Sequence, residues 1–276
     1  MTDVRDRKDE VRDQTIRDFG QQWSIYTDSN GYYGSVELLK DIVEPLLPLE
    51  QLRGITAAEI GSGAGRLINM MMQAGVARLY ALEPSKAVEA LKQNVSHHSD
   101  RVEILNMRGD QLPPLNLDLV ISIGVVHHIP DPDPVMRAAY AALKPGGRIL
   151  LWLYGREGNG LYLSIFGPLR TITRRLPHFL LVPIAHALSL GAGVYLSLAR
   201  IMPVPMRAYV INIFGRFDRH TRFLAVYDQL NPTYAKYYTR SEAIDLLNRA
   251  GFADIQVFHR HAYSWTVLGT RPLTSE

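Results

Sequence analysis

The residues best suited to chemistry stand where short apolar runs end. Glu59-Ile60-Gly61-Ser62-Gly63-Ala64-Gly65-Arg66 places an acid and three alternating glycines between a run that reads as a strand and one with helical spacing. Glycines so spaced let the backbone turn tightly and approach a ligand with no Cβ in the way, and a helix opening turns free amides toward it. A dinucleotide loop reads G-x-G-x-x-G; the spacing here is G-x-G-x-G with an acid two residues ahead, which favours a different cofactor. Glu83 closes the next strand 22 residues after Gly61, where a carboxylate can accept both hydroxyls of a ribose. Glu59 also reads as a strand-end carboxylate capping the loop, and Asp110 as a turn residue.

For proton transfer the candidates are His127 and His128, Tyr154 at the end of a later strand, and Tyr227, Asp228 and Tyr234 in the polar stretch Tyr227-Asp228-Gln229-Leu230-Asn231-Pro232-Thr233-Tyr234. The histidine pair reads either as acid–base groups or as residues that position ligand and chain. The Asn-Pro stretch reads either as a substrate-facing loop or as a connection. His259 and His261 have neither cysteine nor clustered acids to complete a coordination sphere, so no metal is expected.

Five apolar runs could hold these residues as strands: 55–60, 78–82, 102–106, 117–123 and 148–153. Helical patterns lie between them at 66–74, 86–96 and 134–143, the last closed by Lys144-Pro145-Gly146-Gly147. Such alternation demands a parallel, doubly wound sheet with right-handed crossovers. A charged helix over 5–18 and a second over 36–43 precede it. A helix from the Thr239-Arg240-Ser241-Glu242 cap to Gly251, then two antiparallel strands at 255–259 and 264–270, follow.

The order of motifs resembles the class I S-adenosylmethionine-dependent methyltransferases, in particular the small-molecule group similar to quinone methyltransferases. The likeness covers Ile55 to Tyr154 and runs through the Glu59–Gly65 loop, Leu82-Glu83-Pro84-Ser85, Gly109-Asp110-Gln111-Leu112-Pro113, Asp118-Leu119-Val120, Gly124-Val125-Val126-His127-His128-Ile129-Pro130-Asp131-Pro132 and Leu143-Lys144-Pro145-Gly146-Gly147. It implies a Rossmann-like α/β fold with a mostly parallel seven-stranded sheet and an antiparallel last strand. It implies S-adenosyl-L-methionine as cofactor, with the methionine end at Glu59, Gly61, Ser62, Gly63, Gly65 and Arg66. The ribose would lie at Glu83 beside Pro84 and Ser85, and the adenine amine at Asp110 among Gly109, Gln111 and Leu112. Ile123, Gly124 and His128 would complete the site, under an aromatic N-terminal lid of Trp23 and Tyr26. Glu59 stands where an aspartate is common in the family. The expected activity is methyl transfer to a small hydrophobic molecule. The alternatives are a sugar or other polar acceptor, an NAD-dependent oxidoreductase or epimerase, disfavoured by the glycine spacing and the lack of a Tyr-x-x-x-Lys pair, and a non-catalytic cofactor-binding module.

The composition, 47% hydrophobic and 21% charged, suits a buried core, and the absence of cysteine excludes disulfides and thiolate chemistry. The first 13 residues have no apolar stretch, so a cytoplasmic protein is expected, with peripheral membrane contact as an option. Charge is uneven. Residues 160–226 carry eight arginines against the single acid Asp218, a net of +7 that leaves the remainder at −4. One local basic surface, rather than a basic face spread over the molecule, argues against a nucleic-acid partner. Within it, Leu176 to Ala199 is 24 residues without charge. Pro183 and Gly191-Ala192-Gly193 divide this stretch into pieces too short to span a bilayer, which predicts a helical hairpin. The expected organisation is a helical lead-in and lid (1–53), a cofactor-binding core (54–155 and 239–276) and a mainly helical apolar and basic insertion (156–238). The insertion would serve as substrate lid, membrane contact or homodimer surface.

Overall fold

The computed structural model describes residues 2–173 and 176–273; Arg174 and Arg175 of the basic segment, and the last three residues of the core, lie outside them. Seven strands form one sheet: β1 (Thr56–Ile60), β2 (Arg78–Leu82), β3 (Val102–Leu105), β4 (Leu117–Ile123), β5 (Leu143–Tyr154), β6 (Ala253–Arg260) and β7 (Ser264–Thr270). Their order is β3-β2-β1-β4-β5-β7-β6. The first five pair in parallel, and β7 runs antiparallel to both of its neighbours. This is the doubly wound sheet expected from the alternation of apolar runs.

Among the described residues ten α-helices surround or extend it: α1 (Thr2–Ile25), α2 (Val36–Val43), α3 (Arg66–Gln73), α4 (Val88–Asn94), α5 (Asp133–Ala142), α6 (Gly160–Thr173), α7 (His178–Ile201), α8 (Arg207–Asn212), α9 (Arg219–Leu230) and α10 (Arg240–Asn248). The strands are apolar on both sides because both sheet faces are covered. Leu119, Ile121 and Leu150 pack toward α2 and α3. Val120, Ile149, Leu151 and Leu153 pack toward α5 and α10. Each such side chain contributes about 1.5–3 kcal/mol on burial. The Lys144-Pro145-Gly146-Gly147 turn, expected to close α5, lies instead inside β5, where Gly146 at φ +78° shifts the register against β4.

The expected hairpin is not formed. Residues 178–201 make one continuous helix, α7, with Pro183 inside it. Pro183 is the sixth residue of the helix, so it forfeits one hydrogen bond near the end, and each glycine costs about 1 kcal/mol against alanine. Packing outweighs these local penalties: Leu181 and Ala185 bury against α9, and Leu196 and Ala199 against α8. The segment between β5 and α10 leaves and rejoins the sheet at one place. Gly155 bridges Tyr238, Arg156 N donates to Tyr238 O, and Tyr238 N donates to Tyr154 O, the last two at 2.8 Å.

Candidate active site

A cavity of about 900 Å³ opens at the carboxyl ends of β1, β2 and β4, where ligands sit in sheets of this topology. Phe19 and Trp23 of α1 close one side, and Tyr162 of α6, Tyr209 of α8 and Asp228 of α9 the other.

The glycine loop works by shape. Gly61 sits at φ +80°, and a Cβ there would lie 2.6 Å from the Val125 side chain. Gly63 sits at φ +53° with its missing Cβ 3.5 Å from the Trp23 indole. Gly65, also at positive φ, starts α3 but does not line the cavity; a Cβ there would meet Leu91 and Val95. The amides expected to be free for a ligand are used within the protein. Gly61 N and Ser62 N both donate to Leu82 O at 2.9 Å, Gly65 N to Ser62 O at 2.8 Å, and Gly63 N to Glu83 Oε2 at 2.8 Å. A pyrophosphate needs those donors; this loop offers space instead.

The cavity is lined by charges of both signs. Glu59 is buried, its Oε2 lacks a partner of hydrogen-bonding geometry, and burial, opposed by Ser62 and Arg66, pushes its carboxyl up to about 8. Glu83 accepts from Gly63 N, Ser85 N and Ser85 Oγ, and burial raises its pKa against those bonds. Asp110 is held bidentately by Arg108 at 3.0 Å, which lowers its pKa. Arg66, Arg108 and Arg260 line the same cavity, so its walls carry both signs; Glu59, with one oxygen unpartnered, is the acid placed to meet a cationic group of a ligand.

Of the residues expected at the cofactor, Trp23, Glu59, Gly61, Ser62, Gly63, Arg66, Glu83, Pro84, Gly109, Asp110, Ile123, Gly124 and His128 line the cavity. Five do not. Besides Gly65, Ser85 stands behind Glu83, Gln111 accepts from Arg108 N, Leu112 is buried in the core, and Tyr26 packs edge-on against Phe223 and Tyr227.

The acid–base candidates separate in the same way. His128, Tyr154 and Asp228 line the cavity, whereas His127, Tyr227 and Tyr234 do not. His127 lies stacked on Tyr154 at 3.7 Å, and burial drives its pKa well below the ordinary value. Tyr227 belongs to the cluster with Tyr26 and Phe223. Tyr234 acts through its backbone: its carbonyl lies 2.7 Å from His128 Nδ1. A carbonyl only accepts, so Nδ1 carries the hydrogen, and Nε2, buried without a partner, keeps its lone pair. Burial takes the His128 pKa down to about 3. Asp228 accepts from Gln22 Nε2 at 3.1 Å and from Tyr154 OH at 3.4 Å, and burial raises its pKa. Among the described residues none of α7 lines the cavity; its wall on that side comes from α6, α8 and α9.

Residues 58–149 match the family model of a methyltransferase domain. The ubiquinone biosynthesis O-methyltransferase of Klebsiella pneumoniae is 26% identical over 130 residues, 42% of this chain and 49% of that protein. The one of Xanthomonas euvesicatoria is 28% identical over 141 residues, 46% of this chain and 54% of that protein. The chain thus spans about half the length of these curated relatives. Among solved structures, the pyocyanin biosynthetic protein PhzM superposes with a TM-score of 0.52 at 16% identity, over 85% of this chain and 55% of that one, a likeness of fold. By the match to the family model, residues 58–149 are a methyltransferase domain, and the resemblance is to the class I, S-adenosylmethionine-dependent kind.

The parts of the site that sequence reading missed lie mostly outside this methyltransferase domain. Tyr162, Tyr209, Gln229, Tyr237, Arg260 and Tyr263 line the cavity, brought there from elements far apart in the chain. Arg260 is anchored by Asp41 of α2 and donates to the Tyr263 hydroxyl. A sequence signal was present only as an excess of tyrosine in the second half of the chain, with no spacing to assign it. Within the methyltransferase domain, Arg108 was missed beside Asp110.

Proposed function

We propose that this protein transfers a methyl group from S-adenosylmethionine to a hydroxyl of a small hydrophobic, ring-bearing acceptor. The observation that carries the reading is that His128, whose Nε2 has no hydrogen-bond partner, lines a cavity shared with Tyr154, Tyr162, Tyr209, Tyr237 and Tyr263. The O-methyltransferase names of the relatives support an oxygen acceptor.

When bound, the cofactor supplies a methyl already activated on a sulfonium, so the protein's task is chiefly position and proton removal. Glu59 would hold the ammonium end, Glu83 the ribose and Asp110 the adenine amine, with Trp23 over the loop. His128 would accept the hydrogen bond of the acceptor's hydroxyl and draw its proton as the oxygen attacks and the sulfonium charge is lost. The Tyr234 carbonyl holds the ring in the tautomer whose Nε2 keeps its lone pair. Tyr154, held by Asp228 and by Gln229 Nε2 at 2.9 Å and stacked with His127 and Tyr237, stiffens the aromatic wall against which the acceptor would lie.

The test is methyl transfer from labelled S-adenosylmethionine to a panel of apolar phenols and catechols, apolar amines, and sugars. Label in the phenols or catechols, reduced strongly by His128→Asn, supports the reading. Label confined to sugars or amines overturns it.

A further inference from the structure

Helix α7 is apolar on the side it buries and on the side it shows. Outward, Phe179, Leu190, Val194, Leu198 and Ile201 are 71%, 76%, 65%, 40% and 81% exposed, and only 17% of the helix's apolar stretch is buried. The last four recur at spacings of four, four and three, a stripe along one face. Helix α6 repeats the pattern with Leu161, Ile165 and Ile172, also exposed. A helix apolar all round has a second apolar neighbour, and none of the described residues supplies it.

Charge indicates what that neighbour is. From Gly158 to Phe217 the sequence has no aspartate or glutamate, while Arg170, Arg174, Arg175, Arg200, Arg207 and Arg216 lie within it. Arg200, in the last turn of α7, and Arg207, whose Nε donates to Ala199 O at 2.8 Å, are exposed beside the stripe's end. A second copy on this face would set arginines near arginines with no acid from the segment to pair them. An anionic lipid surface complements both the stripe and the cations. The helix lies on such a surface rather than crossing it, because β5 before it and β7 after it pair in one sheet.

The stripe also leads to the active site. Ile201 and Met202, both exposed, are followed within a few residues by Met206 and Tyr209, which line the cavity. We propose that α7 rests in the face of an anionic phospholipid bilayer, and that the acceptor enters the cavity from the bilayer at the Met202–Met206 corner. The second clause rests on the acceptor reading above; the first does not.

The experiment is co-sedimentation of the full chain with vesicles of phosphatidylcholine alone and of phosphatidylcholine with phosphatidylglycerol, at low and high salt. The double variant Leu190→Glu, Val194→Glu is run beside it, both changes lying on the outward face, with S-adenosylmethionine affinity by calorimetry as the check on folding. Expected are binding that needs phosphatidylglycerol, weakens roughly tenfold with salt, and falls at least tenfold in the variant at unchanged cofactor affinity. Wild-type protein left in the supernatant, or a variant that binds as well as wild type, overturns the proposal. So does a dimer in sedimentation velocity that the variant converts to monomer while vesicles stay unbound. For the second clause, wild type should methylate an acceptor dissolved in anionic vesicles at least tenfold faster than the variant does, the two being equal on a water-soluble one; equal rates in vesicles overturn the corner route. Vesicle binding with no methylation of any hydroxyl acceptor would leave the docking standing and defeat the activity reading alone.

Discussion

Gln22 Nε2 donates to Asp228 Oδ1 over 3.1 Å, joining α1 to α9 across 206 positions of chain. The bond is one of a set. Asn231 Nδ2 donates to Gln22 Oε1 at 3.0 Å, and Thr233 gives both its N and its Oγ1 to Asp18 Oδ2. Together these hold α1, with Phe19 and Trp23, over the cavity. Gln22→Ala should weaken S-adenosylmethionine binding by about 1–2 kcal/mol, roughly tenfold, and make α1 sensitive to protease in the apo protein. Titration and limited proteolysis check this; unchanged affinity would show that α1 does not close on the cofactor.

Gly63 allows close approach of a ligand that a side chain would prevent. At φ +53° a β-branched residue is strained by roughly 1–2 kcal/mol, and its Cβ would stand 3.5 Å from the Trp23 indole inside the cavity. Gly63→Val should therefore abolish measurable cofactor binding while the protein still unfolds cooperatively at a modestly lower temperature. Calorimetry and circular dichroism together decide it, and normal binding would contradict the cradle.

Glu59, with its pKa raised from 4.5 to about 8, is protonated in the apo protein at pH 6.5. The folded state then holds a proton that the unfolded chain releases, so this stabilisation is full below about 4.5 and is lost as pH rises through about 8. A bound ammonium reverses the preference. Cofactor binding at pH 6.5 should release about one proton, read by calorimetry in two buffers of different ionisation enthalpy, and Glu59→Gln should remove that release. A buffer-independent enthalpy in the wild type would mean that the carboxyl does not meet the ammonium.

His128→Asn should lower kcat by roughly 10²–10⁴ and leave cofactor affinity nearly unchanged. The pH signature follows from the same burial. The unfolded imidazole takes its proton near 6.5 and the folded one only near 3, so stability is full above 6.5 and falls as pH drops through that interval. The slope this residue adds is at most about 1.4 kcal/mol per pH unit. Wild-type activity, for its part, should show no histidine-like step between pH 6 and 7. A rate profile that falls with an apparent pKa near 6.5 would assign the proton to another group.

The strands were legible because each is a short apolar run stopped by a turn, and 78–82, 117–123 and 264–270 coincide with β2, β4 and β7. Much of the cavity's lining at the strand ends was legible for a related reason: Glu59, Glu83 and Asp110 sit just before or just after loops that the strand pattern locates. Side-chain direction was not legible. His127 and His128 are neighbours in one short turn, yet one is buried behind Tyr154 and the other faces the cavity. Tyr26 was assigned with Trp23, but it follows the end of α1 and turns toward α9. In α7, Pro183 and the two glycines spoke for breaks, and the tertiary contacts of Leu181, Ala185, Leu196 and Ala199 prevailed. The far wall of the cavity, built from α6, α8, α9 and the last hairpin, depends wholly on contacts between distant segments.

The pairing of Gly155 with Tyr238 gives the chain a single doorway through which everything from 156 to 237 leaves the sheet and returns. Because both ends of that excursion are already pinned together, its length is nearly decoupled from the strands: doubling a flexible loop costs only about 0.6 kcal/mol in closure entropy. Residues 156–237 therefore form one excursion, anchored at a single point of the sheet, that can change in length without displacing the strands that carry the glycine loop.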